Sequence, residues 1–188
     1  MRVIAGSARS LRLKTLDGPD VRPTTDRIKE TLFNMIHNDI YGCRFLDVFA
    51  GSGAIGIEAL SRGADSCYFV DESAQAAKCI EENLIFTKLK DRAVILRSDA
   101  SAAIKRLSSS DLQFDIVFMD PPYKTGAEVK VLEALSESGI IHTDSLIIVE
   151  ADLKTEFTYL SDLGFEIIRE KKYKTNKHVF ISLEQERK

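Results

Sequence analysis

The stretch "FLDVFAGSGAIGIEAL", residues 45–60, decides the fold. Its first five residues are an apolar run interrupted only by Asp47, the length of a strand buried on both faces. From Ala54 the apolar positions continue as a helix to about residue 62. Between the two stand Gly51, Gly53 and Gly56 in GxGxxG spacing. Glycines so placed let a backbone turn tightly and approach a ligand closely where a helix begins. Alone that spacing decides little, and the rest of the chain supplies its context.

Downstream, the apolar runs "CYFVD" (67–71), "AVILRS" (93–98), "DIVFMD" (115–120) and "LIIVE" (146–150) alternate with helical stretches near 73–86, 100–107, 127–138 and 154–162. Strand-helix alternation of this kind predicts an α/β fold with a parallel sheet and crossover helices. "FEIIRE" and "VFISLE" (165–170, 179–184) have no helix between them and predict a closing antiparallel hairpin with "KKYKTNK" as its exposed basic turn. Upstream, "RVIAG" and "LRLKT" (2–6, 11–15) flank "SARS" and predict a short β-hairpin carrying Arg2, Arg9, Arg12 and Lys14. "DGPDVRPTT" is a linker or turn. Thr24 and Thr25 then offer N-cap hydroxyls to a helix on which Ile28, Leu32, Met35 and Ile36 recur, ending near Asn38. The chain divides into a basic hairpin arm with its linker, 1–22, and a main domain, 23–188.

A length of 188 residues suits one domain with a short arm. No apolar run approaches the roughly 18 residues of a membrane span, and no leader-like stretch opens the chain, so a cytoplasmic protein is expected. Cys43, Cys67 and Cys79 lack CxxC spacing, and His37, His142 and His178 are dispersed, which predicts neither a disulfide framework nor a metal site. The charge is uneven. Residues 1–30 hold 7 Lys/Arg against 4 Asp/Glu, residues 169–188 hold 7 against 3, and the segment between holds 12 against 22. Basic ends at 2–14 and 169–177 suit phosphates of a polyanion, and the acidic body suits a cation or plain solvation.

Four acids stand at predicted strand ends: Asp47, Asp71, Asp99 and Asp120. In an open parallel sheet the ligand crevice lies outside the carboxyl ends of the strands, so all four would ring one site. Any one could be structural, and Asp99 before "ASAAIKRL" is a fair N-cap. Asp71 falls 20 residues after Gly51, where a ribose-binding acid belongs in a dinucleotide site. Charge separates the two nucleotide-like ligands. A pyrophosphate would lie beside an unpaired Asp47, whereas the sulfonium and ammonium of S-adenosylmethionine would be attracted there. The remaining acids suit its ribose (Asp71) and adenine amino group (Asp99), and the acidic body fits the cationic cofactor better.

At the fourth strand end, "MDPPYK" locks two backbone positions and removes their donors through Pro121 and Pro122. The Asp120 carboxylate and a proline carbonyl can then accept both hydrogens of an exocyclic amine, while Tyr123 stacks on the ring carrying it. Holding those hydrogens aims the nitrogen lone pair at a methyl donor, so direct transfer needs only position and electrostatics. Ser52 is no nucleophile elbow, because the closing glycine of G-x-S-x-G is missing, and Glu58 and Glu150 read as solvent-facing or capping residues.

"DVFAGSGAIGIEALSRGA" and "DPPY", preceded by "MRVIAGSARSLRLKT" and "RPTTDRIKETLFN", resemble the RsmD family of bacterial 16S rRNA guanine-N2 methyltransferases over essentially the whole chain. "DPPY" is shared with DNA adenine and protein glutamine methyltransferases, and "RPTTDR…LFN" is the more specific part. The resemblance implies a Rossmann-like, seven-stranded class I fold, S-adenosylmethionine as donor, and guanine N2 in small-subunit rRNA as acceptor, presented in an assembled or assembling particle. It implies a cofactor pocket of Asp47, Gly51, Ser52, Gly53, Asp71 and Asp99, and a base pocket of Asp120, Pro121, Pro122 and Tyr123. Arg22, Thr24, Thr25 and Arg27 would cover the cofactor and approach the target nucleotide, with Arg2, Arg9, Arg12 and Lys14 on RNA. Methylation of DNA adenine or a protein amide, and a non-catalytic nucleotide- or RNA-binding module or NAD-dependent enzyme, are the rival readings.

Overall fold

Five apolar runs form parallel strands in the computed structural model, which describes residues 1–16 and 26–184. They are β1 (Arg44–Val48), β2 (Ser66–Asp71), β3 (Ala93–Arg97), β4 (Phe114–Met119) and β5 (Ile141–Asp152). The closing hairpin is β6 (Phe165–Lys172) and β7 (Asn176–Leu183), with β7 antiparallel to both β5 and β6. The seven strands make one sheet in the order β3-β2-β1-β4-β5-β7-β6, the Rossmann-like arrangement expected. Its direction of winding reverses between β1 and β4, the place where such sheets open a crevice at their carboxyl ends.

Helices are α1 (Asp26–Met35), α2 (His37–Ile40), α3 (Ala54–Ser61), α4 (Ala74–Thr87), α5 (Ala100–Leu107) and α6 (Ala127–Ser136). Side chains of a strand alternate between faces, and the central strands accordingly feed two cores. Phe45, Phe69, Ile116 and Phe118 pack with α1, α3 and α4, while Leu46, Val70, Val117 and Met119 pack with α5 and α6. Gly56 lies where α3 crosses β2: a Cβ there would stand 2.4 Å from the Phe69 ring and 2.5 Å from Cys67 Sγ. Only hydrogen fits, which explains the third glycine by packing.

The N-terminal hairpin is reduced to one antiparallel bridge, Arg2 with Arg12, and the segment is bound down on α3. Ile4 and Ala5 N–H donate to the Glu58 carboxylate at 2.8 and 3.0 Å, and Ser7 N–H donates to the Ser61 carbonyl at 2.8 Å. Those donors were claimed by the helix, so no ladder could extend. Val3, Ala8 and Leu13 join the α1–α3–α4 core. Glu58, expected at the surface or at a cap, is wholly buried between Lys29 (3.2 Å) and Arg62 (2.7 Å), and Lys29 Nζ also donates to the Arg2 carbonyl. The linker 17–25, including Arg22, Thr24 and Thr25, lies outside the described residues.

The helix expected over 154–162 does not form. Lys154 N–H turns back to the Asp152 carboxylate, successive i→i+3 turns follow, and only Ser161–Leu163 is a 3₁₀ turn. Phe157 and Leu160, both buried, are three apart, a spacing that fits tight turns as well as a helix. Thr155, Thr158 and Ser161 favour the turns.

Candidate active site

Val48 pairs with Met119 across the β1/β4 switch, and Asp120 N–H donates to the Val48 carbonyl at 3.4 Å. The loops after both strands therefore leave the sheet side by side. Beyond them a cavity of about 530 Å3 is lined by Phe49, Asp71, Glu72, Asp99, Asp120 and Pro122, with Val70, Ala100 and Val131 as apolar wall. Three of the four predicted acids thus share one cavity. Glu72, which the sequence reading passed over, makes a fourth there, and Lys130 is the lining cation. Such a donor set fits a cationic ligand bearing hydroxyl and amino donors, and disfavours a pyrophosphate. A second cavity, about 630 Å3, lies at the amino ends of the strands near Asp115 and His142, away from the switch.

Asp47 sits elsewhere. Alternation along β1 puts it on the Phe45 face, under α3, where its carboxylate accepts the Gly56 N–H at 2.9 Å. Gly56 is in the first turn of α3, where backbone N–H groups have no intrahelical partner and an acid is favoured. The residue is 2% exposed and is not among those lining the cavity at the switch. Burial, partly offset by the Gly56 bond and reinforced by Asp71, pushes its carboxyl up to about 8.

Gly51 and Gly53 adopt φ of 54° and 75°, the left-handed region that glycine enters without penalty. Asp71 holds this turn, accepting N–H bonds from Gly51 and Ser73, each at 2.9 Å. Two neutral donors leave lone pairs of that carboxylate free. Ser52 is fixed by its carbonyl, which accepts from Asn83 Nδ2 at 2.9 Å. Asn83, on α4 and 1% exposed, also exchanges two bonds with the Lys14 backbone, at 2.8 and 3.0 Å. One side chain thereby fastens the N-terminal segment to the glycine loop, a role no local pattern announces. Asp99 is the N-cap of α5, accepting from Ala102 N–H at 3.1 Å, and remains exposed at the cavity wall.

Asp120 emerges at the tip of β4 with its carboxyl held well above the ordinary range by burial, then by the charges of Glu150 and Asp47. Pro121 is buried and Pro122 exposed, so the turn is anchored on one side and open on the other. Tyr123 is half-buried, and its hydroxyl lies 3.4 Å from Glu150 Oε1. Burial, with Glu150 and Asp120, raises its phenol well above the usual value. Glu150 is no surface residue: it is 5% exposed and also accepts from Asn176 Nδ2 and His178 Nε2. Two non-glycine residues bracket the site at positive φ, Phe49 at 61° and Lys124 at 64°. For a bulky side chain this costs about 1–3 kcal/mol and persists where surroundings enforce it, as at ligand sites.

Of the residues expected on RNA, Arg9, Arg12 and Arg27 are exposed. Arg2 and Lys14 are exposed too, in surface ion pairs with Asp26 at 3.2 Å and Glu82 at 2.7 Å. In the closing hairpin Lys171, Lys172 and Lys174 are exposed, but Lys177 is buried against Glu170 (2.8 Å) and the Phe157 ring, contrary to the exposed basic turn expected. Because Asp152 pairs with Asn176, the turn 173–175 projects past the carboxyl end of β5, on the cavity's edge of the sheet.

The model of the family described as "Conserved hypothetical protein 95" matches residues 1–182. A candidate rRNA methyltransferase of Bacillus subtilis, YlbH, is 41% identical over 83% of this chain and 85% of its own. The ribosomal RNA small subunit methyltransferase D of Escherichia coli is 35% identical over 82% and 76%. Among solved structures, a candidate methyltransferase of Escherichia coli, yhhF, superposes with a TM-score of 0.82 at 30% identity, covering 99% of both chains.

Proposed function

We propose that this chain, which belongs to the Conserved hypothetical protein 95 (RsmD) family, is an S-adenosylmethionine-dependent methyltransferase of guanine N2 in 16S rRNA, acting in the cytoplasm on the assembled or assembling small ribosomal subunit. The observation that carries this reading is the convergence of Asp71, Asp99 and Asp120 on one cavity at the β1/β4 switch, with the Pro-Pro turn at its rim. Asp71 and Glu72 would hold ribose hydroxyls, Asp99 the adenine amino group, and the turn at Gly51–Gly53 the amino-acid end, with Asp47 acting only through its bond to Gly56 N–H. When bound, the cofactor supplies an electrophilic methyl group on a sulfonium.

The chain's own residues orient the acceptor. The Asp120 carboxylate and the Pro121 carbonyl accept the hydrogens of the exocyclic amine, and the Tyr123 ring stacks on the base. A carboxyl raised by burial and by neighbouring Glu150 suits a proton acceptor at that amine. Arg9, Arg12 and Arg27, with Lys171, Lys172 and Lys174, contact phosphates and set orientation without reading sequence. Residues 1–22 serve as the arm and 23–188 as the catalytic domain. Transfer of radiolabelled methyl to small subunits, duplex DNA and protein, with mass spectrometry of rRNA from cells with and without the gene, tests this. A single small-subunit guanine that loses its methyl group supports it, and label appearing only in DNA or protein overturns it.

A further inference from the structure

Glu150 stands beside the reacting groups, and the chemistry above uses it only as a neighbour that raises the Asp120 carboxyl. Met119 pairs with Val149, and Glu150 opposes His178, so β5 delivers this carboxylate level with Asp120 and next to β7. It is sealed from water, yet among the described residues no lysine or arginine pairs with it. Its donors are Asn176 Nδ2 and the Tyr123 hydroxyl on one oxygen, and His178 Nε2 at 3.2 Å on the other. His178 Nδ1 lies 3.1 Å from the Tyr173 hydroxyl. With Nε2 donating to Glu150, Nδ1 faces the Tyr173 hydroxyl, which can donate or accept, so the row from Tyr173 to Glu150 is satisfied. The bond of Asn176 to a carboxylate fixes its amide, which leaves its buried Oδ1 without a partner. An orphaned acceptor costs about 1–3 kcal/mol and calls for an explanation other than packing.

We infer that Glu150 is a positioning residue for the methyl transfer, anchoring the Tyr123 hydroxyl so that the ring is set for the base, with Asn176 and His178 holding Glu150 in turn. At 3.4 Å the Tyr123 bond is long for O–H···O, and catalytic bonds of this kind tighten when substrate is seated. This inference rests on the base-pocket reading of Asp120–Tyr123.

Glu150→Gln and Tyr123→Phe each remove the charged bond while keeping the shape. Each is expected to lower kcat about 10- to 100-fold with KM for RNA changed less than about twofold, and the double variant to lose no more than the worse single one, because the two act as a unit. In the free protein with 13Cζ-labelled tyrosine, Glu150→Gln is expected to move the Tyr123 resonance and leave that of Tyr159 in place. Multiplicative losses in the double variant, an unchanged kcat, or a stationary Tyr123 resonance overturn the inference. If Glu150→Gln does not fold, Tyr123→Phe alone decides, a retained kcat counting against it. Asp120→Asn separates the two readings: an active Asp120→Asn enzyme breaks the base pocket itself, whereas an inactive one with an indifferent Tyr123→Phe breaks only the anchoring.

Discussion

Two glutamates are buried among the described residues, and their surroundings are opposite. Glu58 is met by Lys29 and Arg62 and by two backbone N–H groups, so its charge is cancelled where it stands. Glu150 is met by Asn176, Tyr123 and the His178 imidazole, with no lysine or arginine on it among the described residues, and it raises the carboxyl of Asp120 and the phenol of Tyr123. The first arrangement is mechanical, tying residues 2–5 and α1 to α3. The second is electrostatic and lies at the site. A buried acid is therefore read by what neutralises it.

The strongest way to break this contrast is Glu58→Ala, which leaves the Lys29 ammonium buried and unpaired. A loss of about 3–5 kcal/mol in urea unfolding is expected, with turnover per folded molecule unchanged. Asp120→Asn tests the other half: initial-rate assays are expected to show at least about 100-fold lower kcat with unfolding little altered. Asn83→Ala probes a neutral analogue of the Glu58 clamp that also touches the glycine loop. Stability is expected to fall by about 1–3 kcal/mol, and calorimetry should show weaker S-adenosylmethionine binding, since the Ser52 carbonyl and Lys14 N–H lose their partner.

Asp47 supplies a third buried acid, with no cation paired to it among the described residues. Its carboxyl is near 3.8 in the unfolded chain and about 8 in the fold, so between those values the folded protein keeps a proton that the unfolded one has lost. The favourable contribution is complete below pH ~4 and disappears as pH rises towards ~8, at most about 1.4 kcal/mol per pH unit. Asp47→Asn is expected to flatten that decline, measured by urea unfolding at pH 5 and pH 8. The smallest effect is expected from Lys171→Ala with Lys174→Ala, on the hairpin that carries His178. RNA affinity should fall evenly across sequences and its log-log salt slope by up to about 0.7 per lost phosphate contact.

What could be read in the sequence was local. The glycine turn, the Pro-Pro turn and the Asp99 cap depend on residues a few positions apart, and each forms at its expected place along the chain, although Gly51, Ser52 and Gly53 are not among the residues lining the cavity. Burial of an acid depends on partners far along the chain, and here reading failed: Glu58 needs Lys29, and Glu150 needs Asn176 and His178. Asp47 was placed at the correct strand end but turned to the other face of β1, because which face meets α3 is settled only by packing. Over 154–162, two buried apolar residues three apart could not tell a helix from consecutive turns.

The three-way fastening by Asn83 also sets an order of events during synthesis. Residues 2–14 precede Glu58, Ser61 and Asn83, which are among the side chains that receive them, so those contacts close only once the later residues are made. Lys14 and Asn83 are 69 residues apart, and contacts this distant in sequence close slowly. Arg2, Arg9, Arg12 and Lys14, exposed in the fold, keep this segment solvated until those contacts close, which guards it against aggregation.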